Sequence, residues 1–149
     1  MSAPHFLDTN ILLYSISRAP DEAAKSAAAI ALLDKEGGAL SVQVLQEFYV
    51  QATRATRVDR IPHEIAAGLI NTWTRFAVQD ITLAVIKNAL SIKAAHSFSY
   101  WDSAIIAAAR ALGCRELYSE DMSHGQEVEG VVIANPFSMT TGIGRIRHG

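Results

Sequence analysis

Short apolar runs alternate with longer helical patterns along this chain, and that alternation predicts an α/β fold with a central, mainly parallel sheet of about five strands and helices on both faces. Two further observations agree. The 149 residues are 50% apolar with a mean hydropathy of +0.16, enough to bury the core of one ordinary domain, taken as residues 1–137. The run order also recurs as strand, helix, helix, the unit that joins parallel strands.

In order, the first strand covers His5 to Asp8, and Asn10 is placed to cap a short helix through Ser17. An alanine-rich helix follows from Asp21 to Glu36 and is closed by Gly37 and Gly38. "ALSV", Ala39 to Val42, reads as the second strand, leading into a helix from Gln43 to about Thr56 and another opened by Pro62. "RFAVQD" is the third strand. Thr82 caps a helix to about Ser97, Ser99 caps the next, and Gly113 ends it before the fourth strand, Glu116 to Ser119. "VVIA" is the fifth strand, ending before Asn135 and Pro136. The stretch 138–149, with "TTGIGRIRHG", lacks periodicity and reads as a loose tail.

Composition narrows the function. A lone cysteine, Cys114, forms no internal disulfide, so a reducing cytoplasm is the simplest home. No apolar run nears the roughly 20 residues that span a bilayer, and no positively charged stretch precedes an apolar signal core, so a soluble protein that is not exported is expected. A net charge of −2 and a pI near 6.2 count against a binder that holds nucleic acid by bulk charge.

In a parallel sheet, ligands bind outside the carboxyl ends of the strands. Four acids fall there: Asp8 after strand one, Glu47 in the helix after strand two, Asp102 in the first turn of the helix opened by Ser99, and Asp121 after strand four. Each alone has a plain structural use. Asp8 suits a turn, and Glu47 borders an apolar helix arc. Asp102 completes a capping box with Ser99, and Asp121 beside Glu120 suits an exposed loop. Together they fall at one edge, where chance would scatter them over both. Carboxylates about 6 Å apart repel by about 3 kcal/mol per pair at an effective dielectric near 20, so a cation is expected. An all-oxygen donor set selects hard ions such as Mg²⁺ or Mn²⁺ over zinc, and the expected chemistry is metal-dependent phosphodiester cleavage.

"FLDTNILLY", "VLQEFY", "YWDSAIIAAA", "LYSEDM" and "IANPF", in this order, resemble the motifs of PIN-domain ribonucleases, in particular the VapC-type toxins. The resemblance spans Phe6 to Phe137 and implies a three-layer α/β/α fold and an Mg²⁺-dependent endoribonuclease. It further implies that Asp8, Glu47, Asp102 and Asp121 form the catalytic and metal-binding set. Thr9, Asn10 and Ser119 match residues that orient those carboxylates. It also implies 5′-phosphate and 3′-hydroxyl products, a small antitoxin that blocks the acidic pocket, and a homodimer. Some members carry a further aspartate after the position of Asp121; here Met122, Ser123 and His124 stand instead, which bears on a second metal position.

RNA binding is read from Arg54, Arg57 and Arg60, which could hold phosphates or could equally be a solvated helix end. Trp101 could stack a base, but with Ile105, Ala108 and Leu112 it makes a core stripe, and that reading is preferred. Two rivals stand beside the nuclease. A haloacid-dehalogenase-like phosphatase needs a second aspartate where Asn10 stands, and a catalytically idle interaction domain has no use for four intact acids.

Overall fold

A computed structural model describes residues 4–137; the tail expected at 138–149 lies outside them. Six strands form one sheet: β1 (His5–Leu7), β2 (Gly38–Ser41), β3 (Ala77–Gln79), β4 (Glu116–Tyr118), β5 (Glu127–Val128) and β6 (Val131–Ala134). Their order is β3-β2-β1-β4-β6-β5, parallel throughout except for β5, which runs antiparallel to β6. Six helices connect them: α1 (Thr9–Ser15), α2 (Ala23–Asp34) after a 3₁₀ turn at Pro20–Glu22, α3 (Val42–Ala52), α4 (His63–Trp73), α5 (Leu83–Ala95) and α6 (Tyr100–Ala111).

The chain runs outward through β1, β2 and β3, then crosses back to β4 on the other side of β1. Right-handed crossovers therefore put α1 to α4 on one face and α5 with α6 on the other. The packing agrees, since α1 contacts α2 and α3, α3 contacts α4, and α5 lies along α6. β1 and β2 are buried along their whole length, as strands covered on both faces must be, and so they read as short apolar runs. Phe6, Leu40, Phe48, Ile106, Leu117 and Ile133 fill the centre of the core. Buried small side chains at Ser103, Ala104, Ala107, Ala108 and Ala109 let α6 lie close against the sheet.

The expectation of about five strands becomes six. β5 has only two residues and is held in a hairpin by Glu129 and Gly130, both at positive φ (49° and 94°), the backbone of a tight primed turn. Asp8, not Asn10, caps α1, its carboxylate accepting the Thr9 N–H at 2.7 Å. Helix α3 stops at Ala52, four residues before the expected Thr56, and turns joining Arg54 to Arg57 and Arg57 to Arg60 follow. The caps at Thr82 and Ser99 form as expected, each accepting the N–H three residues on. No helix among the described residues is long and apolar enough to cross a membrane.

Candidate active site

The sheet order reverses between β1 and β4, and the crevice beyond their carboxyl ends is where an open α/β sheet offers a site. Here it is a cleft of about 180 Å³ lined by Asp8, Glu47, Asp102 and Asp121, with Thr9 and Asn10 among its other walls. Four distant stretches of chain thus deliver one carboxylate each. Asp8 leaves the end of β1, Glu47 points from α3, Asp102 from the first turn of α6, and Asp121 from the loop after β4.

Each of the three polar residues expected to orient the acids has a definite partner. The buried Ser119 hydroxyl donates to Asp8 Oδ2 at 2.8 Å, so β4 holds the carboxylate that β1 presents. Thr9 Oγ1 donates to Glu47 Oε1 at 2.8 Å, tying α3 to α1. Asn10 Nδ2 donates to Asp121 Oδ2 at 3.0 Å, while its Oδ1 accepts the Glu120 N–H at 3.4 Å. The neighbouring Glu120 is spent elsewhere, accepting from Tyr14 Oη and paired with Lys25. Of the two adjacent acids, Asp121 alone lines the cleft.

Asp8 is buried, and burial above all pushes its carboxyl up to about 6; the Ser119 and Thr9 hydrogen bonds oppose that, and the charges of Glu47 and Asp102 add to it. Asp102 also titrates above its ordinary value, through burial first and then the charges of Asp121 and Glu47, against a hydrogen bond from Ser99. The acids therefore feel one another, and the cleft stores repulsion that a cation would relieve. No Lys or Arg among the described residues lines it.

The donor set, four carboxylates with amide and hydroxyl oxygens beside them, suits a hard divalent ion. As the side chains stand, no three His, Cys, Asp or Glu among the described residues are grouped to hold a metal.

The arginine cluster falls outside the cleft. Arg57 lines a separate depression beside Asn10, Leu13 and Tyr14, and its Nε is paired with Asp59 at 3.1 Å. Trp101 corrects the preferred sequence reading: it is 63% exposed and lines the cleft instead of the core. The helical stripe placed it inside, but burial along α6 begins only at Ser103, after the turn that carries Trp101. Gln43 and Gln51, which no motif singled out, also line the cleft, on the face of α3 that carries Glu47.

A family model described as PIN domain matches residues 5–124, a span that includes all four acids. No curated protein gives a significant match. Among solved structures, a toxin–antitoxin complex from Klebsiella pneumoniae is similar at 18% identity and TM-score 0.66, over 91% of this chain and 98% of that one. The sarcin-ricin-loop-cleaving toxin VapC20 of Mycobacterium tuberculosis is similar at 20% identity and TM-score 0.60, over 76% and 86% of the two chains. DNA-bound VapBC from Salmonella typhimurium is similar at 16% identity and TM-score 0.61, over 91% and 99%. At such identities these likenesses speak for the fold.

Proposed function

Because this chain belongs to the PIN-domain family, whose members are typically nucleases, we propose that it is a metal-dependent endoribonuclease and the toxin of a VapBC-type pair. One observation carries the reading: four carboxylates from four separate segments line one cleft at the switch point of the sheet, each in a place the fold fixes. An idle interaction domain has no reason to keep such a costly set of like charges.

Asp8, Glu47, Asp102 and Asp121 would hold Mg²⁺, with Mn²⁺ a substitute. When bound, the ion supplies Lewis-acid activation of the attacking water and neutralises charge on the scissile phosphate. The chain's own part is positioning. Ser119 fixes the rotamer of Asp8, Thr9 that of Glu47, and Asn10 that of Asp121, so the acids are aimed before substrate arrives. A phosphodiester approaching four carboxylates without a cation would be repelled, which makes ion and substrate binding interdependent. No 2′-hydroxyl takes part in this displacement, so a preference for RNA rests on the groove around the acids. The partners that follow are an RNA substrate, a small antitoxin and a second copy of the chain, all in the cytoplasm.

The test is incubation of the purified chain with total RNA, with Mg²⁺ and with EDTA, and mapping of the cut ends. Internal cuts with 5′-phosphates that need Mg²⁺, and that vanish in both Asp8→Asn and Asp102→Asn, are the expected result. Cleavage that survives thorough chelation, or wild-type rates in both variants, would overturn it.

A further inference from the structure

The same edge of the sheet carries a second cavity, of about 350 Å³. It lies where β2 and β3 end, beside the starts of α3, α5 and α6. Val85, Ile86, Ala104 and Ala108 give it an apolar lining, and Gln43, Gln46, Gln79 and Asp80 supply polar groups. Gln43 and Trp101 line both this cavity and the acidic cleft, and Gln43 Nε2 donates to the Trp101 carbonyl at 3.4 Å. The exposed Trp101 indole stands edge-on to Tyr100, with ring centroids 5.2 Å apart.

This chemistry is selective. An exposed indole beside an apolar recess favours a flat ring, and stacking on an aromatic side chain is how single-stranded nucleic acid is commonly gripped. Glutamine amides both donate and accept, and a carboxylate accepts from ring N–H and exocyclic amino groups, which together match the edge of a base. No Lys or Arg among the described residues lines the cavity, so it offers a phosphate nothing. Its volume is at the small end of ligand pockets, which start at about 300 Å³, and suits one ring system better than a helix.

We propose that this cavity is a nucleobase subsite: an unpaired base adjoining the scissile phosphate stacks on Trp101 and presents its edge to Gln43, Gln46, Gln79 and Asp80. The proposal rests on the ribonuclease reading for its substrate, but the binding it asserts needs no catalysis. A base locked in a duplex cannot enter, so the subsite selects loops and single strands.

Binding is tested first, in EDTA, by titrating the intrinsic fluorescence with each 5′-nucleoside monophosphate and with ribose 5-phosphate. The chain has two tryptophans, and Trp73 is buried edge-on against Phe48, so Trp101 is the indole that ligands reach. At least one nucleotide should quench saturably while ribose 5-phosphate does not, and Trp101→Phe should remove the signal. Cleavage of a single-stranded oligoribonucleotide with Mg²⁺ is tested next. Trp101→Ala should raise KM about tenfold or more with kcat retained, and Trp101→Phe should recover most of the loss.

Equal quenching by ribose 5-phosphate, or wild-type KM in Trp101→Ala, would overturn the subsite while leaving the nuclease intact. It would also be overturned if no nucleotide quenches and Trp101→Ala turns a wild-type dimer into a monomer, since a second copy would then cover this face. Base-specific quenching in a chain that cuts no RNA would uphold the subsite and sink the nuclease reading instead.

Discussion

Asp8 shows how a single carboxyl can be both an asset and a burden. Its ordinary value of 3.8 rises to about 6 in the folded chain, so the folded state holds the proton more tightly than the unfolded one. The stability this brings is complete below the ordinary value and is lost as pH rises through the folded one; near pH 8 an ionised Asp8 is buried at a cost of up to about 3 kcal/mol. In EDTA, Asp8→Asn should therefore raise the urea midpoint at about pH 8 and lose that advantage by about pH 4; in a separate assay with Mg²⁺ the same substitution should abolish RNA cleavage. An advantage that persists unchanged at low pH would show that charge is not its source. The orienting hydroxyls make the converse prediction. Ser119→Ala and Thr9→Val remove no ligand, yet each should weaken Mn²⁺ binding about 10- to 100-fold by freeing a carboxylate to rotate, as titration calorimetry would measure. At this scale the sequence was legible where chemistry depends on residue type: four acids at one edge stood out. The Ser119–Asp8 and Thr9–Glu47 bonds join residues 111 and 38 positions apart, and only the family resemblance, not local pattern, could mark those hydroxyls. The exposure of Trp101 was hidden for a related reason, because periodicity tells which face of a helix is apolar but not at which residue along the helix burial begins.

Among the elements, α3 links fold to site most directly, carrying Glu47 together with Gln43 and Gln51 into the cleft. Its first turn is capped by the buried Ser41, whose hydroxyl accepts the Val44 N–H at 3.2 Å. Ser41→Ala leaves that buried donor without its partner and should cost about 1–2 kcal/mol, read as a lower urea midpoint at an unchanged slope. Helix α6 is limited in the opposite way. Ala109 is fully buried against the sheet, so Ala109→Leu should overpack the layer and lose about 1–3 kcal/mol by the same measurement. Element order and most caps could be read from the sequence because they rest on near neighbours: Thr82 and Ser99 stand three residues before the N–H groups they accept. What escaped were features decided by tertiary context. Asp8 took the cap of α1 from Asn10, which instead clamps the loop after β4. The two-residue β5 has too short a pattern to detect without its partner β6.

For the whole molecule, the charge distribution and the proposed toxin role meet in one question, namely how the cell would tolerate the active chain. The acidic cleft contains no cation of its own among the described residues, so a partner that inserted an arginine or lysine there would gain a charge-assisted hydrogen bond to a carboxylate and relieve the repulsion that raises Asp8 and Asp102. Such a partner would compete with the metal ion for the same negative site. Helices α3 and α4, packed on each other, also leave Val50 and Ile65 half exposed, apolar footing of the kind a partner helix uses. Expression of the chain alone should arrest growth, and co-expression with a small gene product encoded beside it should relieve the arrest. The Asp8→Asn form should be harmless yet still copurify with that product, because losing one of four carboxylates leaves most of the attraction in place. Adding Mg²⁺ to the purified pair should not restore cleavage until the partner is removed, for example by limited proteolysis. Innocuous wild-type expression with no copurifying small protein would remove the toxin role and leave the proposal of a housekeeping PIN-domain nuclease, since the four acids would still line one cleft of a PIN-domain fold.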